Sequence, residues 1–279
     1  MPFAPGEIQQ AHVEYLRFKL RNPPLYHERY IFPFFAGSYF TYRKIDVLRA
    51  IQIAKAISDE PKYVDVGCGY GDFLKKVREF LPDAIGIEKE TSIFYLLEKT
   101  RPDYIYPYAI EWFQGKRFDM AYVGWMDHGV DFRRSVADSS KCVLTTFDSG
   151  GQCGVNGECE YDEFGLHRIA WWKTPSWIDV NTELMNMYYT PSLKIDEPTK
   201  RKLSTLRTAH NLWYLYAKPE FSEKIIDALK RWLIREEQVF AVEKFDFESV
   251  LDECGFYYME HLPTTASKDK RLWELVIDD

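Results

Sequence analysis

The chain has 279 residues, of which 46% are hydrophobic, and its formal net charge at pH 7 is −7. That length allows one large domain with its own core, while the negative charge disfavours broad electrostatic attraction to nucleic acid or to an anionic membrane. No apolar run approaches the length of a membrane-spanning helix, no leader pattern begins the chain, and the odd number of cysteines, five, favours a reducing cytoplasm as its location.

The first 60 residues combine helical periodicity with many aromatic side chains. Residues 8–18 repeat apolar side chains at helical spacing and are followed by Pro23 and Pro24, and residues 43–57 form a second amphipathic pattern. Between these two helices, residues 25–42 hold eight aromatic side chains. Two interpretations remain open: the aromatic side chains pack a helix onto the sheet that follows, or residues 1–60 form a cap over a pocket.

Residues 63–74 join a buried strand, a glycine-rich turn and a helix. The apolar stretch 63–66 runs into Gly67, Gly69 and Gly71 at every second position, and a helical pattern begins at once with Asp72. Glycines at this spacing let the backbone turn tightly and approach a ligand without a Cβ in the way. The free N–H groups that open the helix favour a polar or negatively charged ligand group.

A carboxylate closes the next predicted strand, since the apolar stretch 84–87 ends in Glu88. At the end of a neighbouring parallel strand, such a carboxylate is placed to hold the hydroxyls of a ribose. A dinucleotide fingerprint would need its third glycine at position 72, where this chain has Asp72. The spacing therefore indicates a nucleoside ligand other than a dinucleotide.

With Asp65 two residues before the first glycine and Glu88 at the end of the second strand, the pattern resembles the first motifs of class I S-adenosylmethionine-dependent methyltransferases. The resemblance covers residues 62–147 and roughly the last thirty. It implies S-adenosyl-L-methionine as the cofactor. It also implies the residues that bind this cofactor, which are Asp65, Gly67, Cys68, Gly69, Gly71 and Glu88. In that family the position of Cys68 contacts the cofactor through its backbone, so the thiol need not take part in the chemistry. The alternative is a strand-to-helix turn without a ligand.

From residue 62 onward, apolar strands alternate with helices, which favours a parallel sheet covered on both faces. The predicted strands are 63–66, 84–87, 104–108, 120–124 and 142–147, and the predicted helices are 72–80, 91–99 and 131–139. A further helix at 247–254 and strands at 256–262 and 272–277 resemble the end of a class I methyltransferase sheet, whose seventh strand is antiparallel. The predicted fold class is therefore α/β and Rossmann-like, with seven strands.

These elements divide the chain into four predicted parts, with a large insertion near its middle. The parts are an N-terminal cap at 1–60, a cofactor-binding core at 61–148, an insertion at 149–245 and a C-terminal completion of the core at 246–279. The insertion leaves the core at the strand edge where the resemblance places the acceptor. We therefore expect it to recognise the substrate through aromatic side chains such as Trp172 and Trp213, with helices at 199–216 and 221–240. A lid or a dimer interface is the alternative.

The loop after the fourth predicted strand holds the candidate catalytic residues, Asp127 and His128. A histidine titrates near neutral pH and can take a proton from a hydroxyl or an amine. The loop lacks the Asn/Asp-Pro-Pro-Tyr tetrapeptide of enzymes that methylate a base amine or a glutamine amide, which disfavours those reactions. The alternative is a loop aspartate that caps the next helix beside a surface histidine.

A metal site is not expected from the sequence. Asp127, Asp131 and Asp148 lie at the ends of predicted strands and could converge on a divalent ion, as in a catechol-type mechanism, but nothing else in the sequence requires one. Cys153 and Cys159 lie in a glycine-rich loop, and their spacing matches no common zinc pattern. We expect them to be two free thiols in a loop.

These patterns predict an S-adenosylmethionine-dependent methyltransferase that acts on an O or N atom of a small molecule, because an aromatic insertion favours an enclosed pocket. A protein methyltransferase is the first alternative. The second is a non-catalytic module that binds adenosylmethionine and docks a partner protein. A nicotinamide oxidoreductase is disfavoured, because Asp72 stands where the third glycine would be.

Overall fold

The computed structural model describes residues 44–96, 100–113, 115–148, 153–155, 158–174, 211–239 and 275–278. The helices of this part are α1 (Lys44–Ile57), α2 (Asp72–Arg78), α3 (Ser92–Leu96), α4 (Arg133–Ser139) and α5 (Pro219–Val239). The strands are β1 (Tyr63–Val66), β2 (Ile85–Ile87), β3 (Ile105–Tyr106), β4 (Phe118–Gly124), β5 (Ser140–Asp148), β6 (His167–Thr174), β7 (Asn211–Ala217) and β8 (Val276–Ile277).

The described strands form one mixed sheet in the order β3-β2-β1-β4-β5-β7-β6-β8. Strands β1 to β5 pair in parallel, and β7 pairs with β5 in antiparallel register, with Val143 opposite Tyr216. Every residue of β1 is buried, as expected for a central parallel strand that is covered on both faces. The predicted Rossmann-like α/β fold class with an antiparallel seventh strand is confirmed, and β8 adds an eighth strand.

The position predicted for the antiparallel seventh strand, residues 272–277, is wrong. The antiparallel neighbour of β5 is β7, at Asn211–Ala217, within a segment that was predicted to be helical. Both faces of this strand are buried, since Trp213, Leu215, Tyr216 and Ala217 are all 0% exposed. An apolar run with no polar face lacks the period of two that would distinguish a strand from a helix. The predicted strand at 256–262 and helix at 247–254 lie outside the described residues.

The predicted insertion at residues 149–245 contributes two strands to the core. Strands β6 and β7 both lie within this range, yet both belong to the central sheet. By its internal contacts, the chain divides into two units, one of which comprises residues 45–173, 211–242 and 274–279. The other comprises residues 1–44, 174–210 and 243–273, almost all of which lie outside the described residues. Residues 158–174 and 211–239 therefore complete the core and do not stand apart from it.

Trp172 and Trp213, which we expected in an acceptor pocket, lie in this core. Both are 0% exposed, and their rings stack at a centroid distance of 5.2 Å. Trp213 also stacks on Tyr122 of β4 at 5.8 Å, and the indole N–H of Trp172 donates a hydrogen bond of 2.9 Å to Asp46 of α1. These contacts join β4, β6 and β7 to helix α1, so the two tryptophans stabilise the fold. The expectation that they line a pocket is wrong.

Candidate functional site

The glycine loop between β1 and α2 depends on backbone conformations that favour glycine. Gly67, Gly69 and Gly71 have φ values of 69°, 56° and 77°, which L side chains adopt only with strain. The amides of Gly67 and Cys68 donate hydrogen bonds to the carbonyl of Ile87, at 2.8 and 3.2 Å. The loop is thereby fastened to the carboxyl end of β2.

Glu88, the first residue after β2, is tied directly to this loop. Its Oε2 accepts a hydrogen bond of 2.8 Å from the Gly69 amide, and its Oε1 accepts one of 2.8 Å from the Glu90 amide. Burial raises the pKa of Glu88, the two amides oppose that shift, and the charges of Asp127 and Glu90 add to it. An ionised carboxylate can accept about four hydrogen bonds, so Glu88 keeps capacity for the two hydroxyls of a ribose.

Asp65 is buried in β1 just before the loop, with 2% of its surface exposed. Within the described part of the chain, no side chain or amide donates a hydrogen bond to its carboxylate. Burial, and then the charges of Asp72 and Glu88, raise its pKa well above the usual value. A buried carboxylate without a partner is costly, which is typical of a position that serves a ligand.

Cys68 and Gly86 show how closely the loop packs against β2. Cys68 is buried, and burial together with the charges of Asp65 and Glu88 raises the pKa of its thiol well above the usual value. The thiol is therefore protonated at neutral pH and unreactive. A Cβ at Gly86 would lie 2.7 Å from Cys68 Sγ and 2.7 Å from Leu74 Cδ2. The sequence reasoning missed this need for a glycine at position 86, although a glycine within a strand is a known signal of close approach.

Backbone hydrogen bonds to other parts of the chain hold the loop between β4 and α4 at several points. Its first residue, Trp125, has a φ of 62° and is the only described non-glycine residue with positive φ. The Trp125 amide donates to the carbonyl of Thr146 at 2.8 Å. Farther along, the Gly154 amide donates to the Met126 carbonyl at 3.0 Å, and the Gly129 amide donates to the Gly154 carbonyl at 2.9 Å. Left-handed conformations of large residues cluster at functional sites, and Trp125 is a site candidate that the sequence reasoning did not single out.

Asp127 and His128 lie within this anchored loop, and both are exposed. The Val130 amide donates a hydrogen bond of 3.1 Å to the Asp127 carbonyl, which closes a turn. Partial desolvation raises the pKa of Asp127, and its charge in turn raises that of Glu88. The structure thus brings Asp127 within electrostatic reach of Glu88, whereas no hydrogen bond joins Asp127 to His128. Their catalytic role stays a prediction.

Asp131, which we considered as a metal ligand, forms an ion pair with Arg133. Two nitrogens of the Arg133 side chain donate to its two carboxylate oxygens, each at 2.9 Å, and these hydrogen bonds hold the pKa of Asp131 below its usual value. Glu158 and Glu163 also approach Arg133, at 3.2 and 3.1 Å. The side chain of Asp148 lies outside the described part of the chain. The described residues contain no group of three or more His, Cys, Asp or Glu side chains that could hold a metal ion.

Cys153 and Cys159 are not joined in a disulfide, as predicted, and both are buried. They are 1% and 2% exposed and pack in the hydrophobic core with Met126 and Tyr161. Their glycine-rich surroundings predicted a loop, and the burial of both thiols in this core cluster could not be read from those surroundings.

None of the described helices has the length and apolar character to cross a lipid bilayer.

No model of a known protein family matches the sequence, and neither does any curated protein. Among solved structures, the chain is similar to a candidate sarcosine dimethylglycine methyltransferase from Galdieria sulphuraria, at 12% identity and a TM-score of 0.45 over 63% of this chain and 84% of that one. It is also similar to the YcgJ protein from Bacillus subtilis, at 11% identity and a TM-score of 0.41 over 61% and 97%. A third is PKMT2 from Rickettsia typhi, at 10% identity and a TM-score of 0.37 over 65% and 54%. At these values the likeness assigns no activity, and the fold assignment depends on the topology of the chain itself.

The residues present fit an adenosyl cofactor at two points. Gly67, Gly69 and Gly71 let the backbone of the loop approach a nucleoside, and the carboxylate of Glu88 can accept hydrogen bonds from its ribose hydroxyls. Asp72 stands where a dinucleotide fingerprint has its third glycine, which disfavours NAD. By its strand order, its antiparallel seventh strand and this loop, the chain has the class I methyltransferase fold.

Proposed function

We propose that this protein is an S-adenosylmethionine-dependent methyltransferase whose acceptor is an O or N atom of a small molecule. The observation that carries the proposal is the hydrogen bond of 2.8 Å from the Gly69 amide to Glu88 Oε2. It fastens a loop of left-handed glycines to the carboxylate at the end of β2, within a sheet of class I methyltransferase order. This is the arrangement that holds the nucleoside of the cofactor in the family that the sequence resembles.

Each residue then has a defined role. Glu88 accepts hydrogen bonds from the ribose hydroxyls, and Gly67, Gly69 and Gly71 keep the backbone free of side chains along the ligand. Asp65 offers a buried carboxyl group just before the loop. When bound, the cofactor supplies a methyl group that is already activated by its positive sulfur, so the protein needs chiefly to orient the acceptor and to accept its proton.

Asp127 is the residue best placed for that last task. It lies in the anchored loop after β4, and its carboxylate is open to solvent while remaining within electrostatic reach of Glu88. A raised pKa brings a carboxylate closer to the range in which it can accept and release a proton near neutral pH. His128 follows it in the same loop and is proposed as the second acid–base residue.

A transfer assay tests this function. Purified protein is incubated with S-adenosylmethionine and either the small-molecule or the protein fraction of a cell extract, and S-adenosylhomocysteine is quantified, with Gly69→Val, which should not bind the cofactor, as the control. Product that forms with the small-molecule fraction supports the proposal. Product with the protein fraction alone would make the protein a protein methyltransferase. Cofactor binding without product from either fraction would indicate a non-catalytic module, and absence of cofactor binding would refute the proposal.

A further inference from the structure

Phe132, the residue before α4, lies against the first glycine of the glycine loop. A Cβ placed on Gly67 would be 3.9 Å from Phe132 Cζ, which is an ordinary van der Waals distance. Gly67 is exposed and Phe132 is partly exposed, so the ring and the bare backbone reach solvent side by side. An aromatic side chain of the β4–α4 loop therefore borders the exposed backbone of the glycine loop, where a ligand would approach.

The position of Phe132 carries more weight than its exposure. Single apolar side chains at a protein surface are common and need no explanation. Phe132, however, packs against the hydrophobic cluster of the sheet, which includes Val66 and Val123, and it also lies beside Gly67. The ring thus adds an apolar surface to a loop that presents only backbone at that point.

Arg133 holds the backbone on both sides of Phe132. The carboxylate of Asp131 accepts a hydrogen bond of 3.0 Å from the Arg133 amide and two of 2.9 Å from the Arg133 side chain. These bonds span Phe132, which lies between the two residues in the chain. A further guanidinium nitrogen, Nη1, donates to the carbonyl of Glu160 at 2.9 Å, so the pair is also tied to the segment between β5 and β6.

The side chain of Arg133 is closely surrounded, and the residue is only 4% exposed. Its guanidinium lies 5.3 Å from the ring centre of Phe164, and Glu158 and Glu163 approach Nη2 at 3.2 and 3.1 Å. Both glutamates are largely exposed, so solvent screens their attraction. The hydrogen bonds to Asp131 therefore do most to fix the arginine, because a buried guanidinium without a partner is costly.

We propose that Phe132 contacts the bound cofactor and that Arg133 is a positioning residue that holds Phe132 in place. The inference rests on the proposed function and adds an apolar contact to the hydrogen bonds of Glu88. The apolar surface of the ligand that the ring covers is removed from water, which favours binding. Because Arg133 holds the ring in place before the ligand arrives, binding does not have to order it.

Calorimetric titration of the full-length protein with S-adenosylhomocysteine measures this contact. We expect Phe132→Ala to bind this ligand at least about tenfold more weakly than the wild type, because the apolar surface of the ring is lost. Phe132→Leu, which keeps an apolar side chain but lacks Cζ, should also lose affinity. Phe221→Ala is the matched control and should bind like the wild type. Phe221 is likewise partly exposed, but it lies beside Lys141 at the amino end of β5.

The positioning role is tested by combining two changes. Arg133→Met should weaken binding at least about fivefold, because the ring is no longer held in place. In the Phe132→Ala background, Arg133→Met should cause no further loss, because the arginine acts through the ring. A residue that only stabilised the fold would weaken binding equally in both backgrounds. Arg168→Met removes a comparable ion pair, with Asp278 at 2.7 Å, and should leave the affinity unchanged.

Unchanged affinity in folded Phe132→Ala and Phe132→Leu would overturn the contact. Unchanged affinity in Arg133→Met, or a loss in the double variant near the product of the two single losses, would overturn the positioning role. Denaturant unfolding shows which variants fold. If Arg133→Met does not fold, Asp131→Asn opens the same pair from the other side and takes its place, and Phe132→Leu likewise takes the place of Phe132→Ala. Absence of binding by the wild type would refute the proposed function itself, whereas wild-type binding with unaffected variants would refute this inference alone.

Discussion

Gly69 and Glu88 are nineteen residues apart, and the amide of the first donates a hydrogen bond of 2.8 Å to Oε2 of the second. This single contact connects the turn after β1 with the end of β2. The carboxylate therefore does two things: it keeps the loop in its left-handed conformation, and it offers its remaining acceptor capacity to a ligand. Loss of Glu88 should damage both the loop and the ligand contacts.

Replacement of Glu88 by alanine is the first prediction. We expect Glu88→Ala to bind S-adenosylmethionine roughly 30- to 150-fold more weakly, because two charge-assisted hydrogen bonds are worth about 2–3 kcal/mol. Calorimetric titration measures the change. Glu223→Ala, at an exposed position of α5, should bind like the wild type. Unchanged affinity for S-adenosylmethionine in a folded Glu88→Ala protein would show that Glu88 does not bind the cofactor.

Much of this region could be predicted from residue types and spacing alone. Strand β1, the glycine loop and Glu88 follow local rules, because a glycine triplet between a strand and a helix is typical of a turn that approaches a nucleotide or nucleoside. Strand β7 could not be predicted in the same way, since Trp213 and Tyr216 on its opposite faces are both buried and the polar–apolar alternation is absent. The positive φ of Trp125 depends on tertiary contacts, and no property of the residue itself signals it.

The glycine loop supplies the second prediction. Gly69→Val should abolish cofactor binding while most of the fold remains, because a branched side chain at a φ of 56° is strained and intrudes on the ligand. Gly115→Val is the matched control. Its φ is 85°, with nothing within 4 Å of an added Cβ, so it shares the backbone strain of roughly 1–2 kcal/mol but lies outside the loop. Thermal melts and cofactor titrations of both variants make the comparison, and cofactor binding retained by Gly69→Val would show that the loop does not approach the ligand.

Trp213 supplies the third prediction, which concerns stability. Trp213→Ala should lower the free energy of unfolding by about 3–5 kcal/mol, because the ring is fully buried and stacked between Trp172 and Tyr122. Trp112, which is 78% exposed, offers the control, and Trp112→Ala should change stability by less than about 0.5 kcal/mol. Denaturant unfolding measures both. A Trp213→Ala protein with unchanged stability and impaired turnover would contradict this prediction and indicate that Trp213 contacts the acceptor.

The fourth prediction concerns Asp65 and pH. Burial raises the pKa of Asp65 in the folded protein above its value in the unfolded chain. Asp65 therefore destabilises the cofactor-free fold at every pH above the unfolded value, and this penalty shrinks as the pH falls toward that value. Asp65→Asn should accordingly be more stable than the wild type at pH 7 and should bind the cofactor more weakly. The stability difference should shrink as the pH falls. Unfolding curves at pH 7 and pH 4 check this, and a variant that is less stable at pH 7 would show that the carboxylate has a stabilising partner.

The central claim is that the glycine loop and Glu88 bind S-adenosylmethionine, and calorimetry with three ligands tests it most directly. Purified wild-type protein is titrated separately with S-adenosylmethionine, S-adenosylhomocysteine and NAD. We predict saturable binding of the first two at one site per chain and none of NAD, because Asp72 stands where a dinucleotide fingerprint has its third glycine. Binding of NAD without binding of either adenosyl ligand would contradict the account.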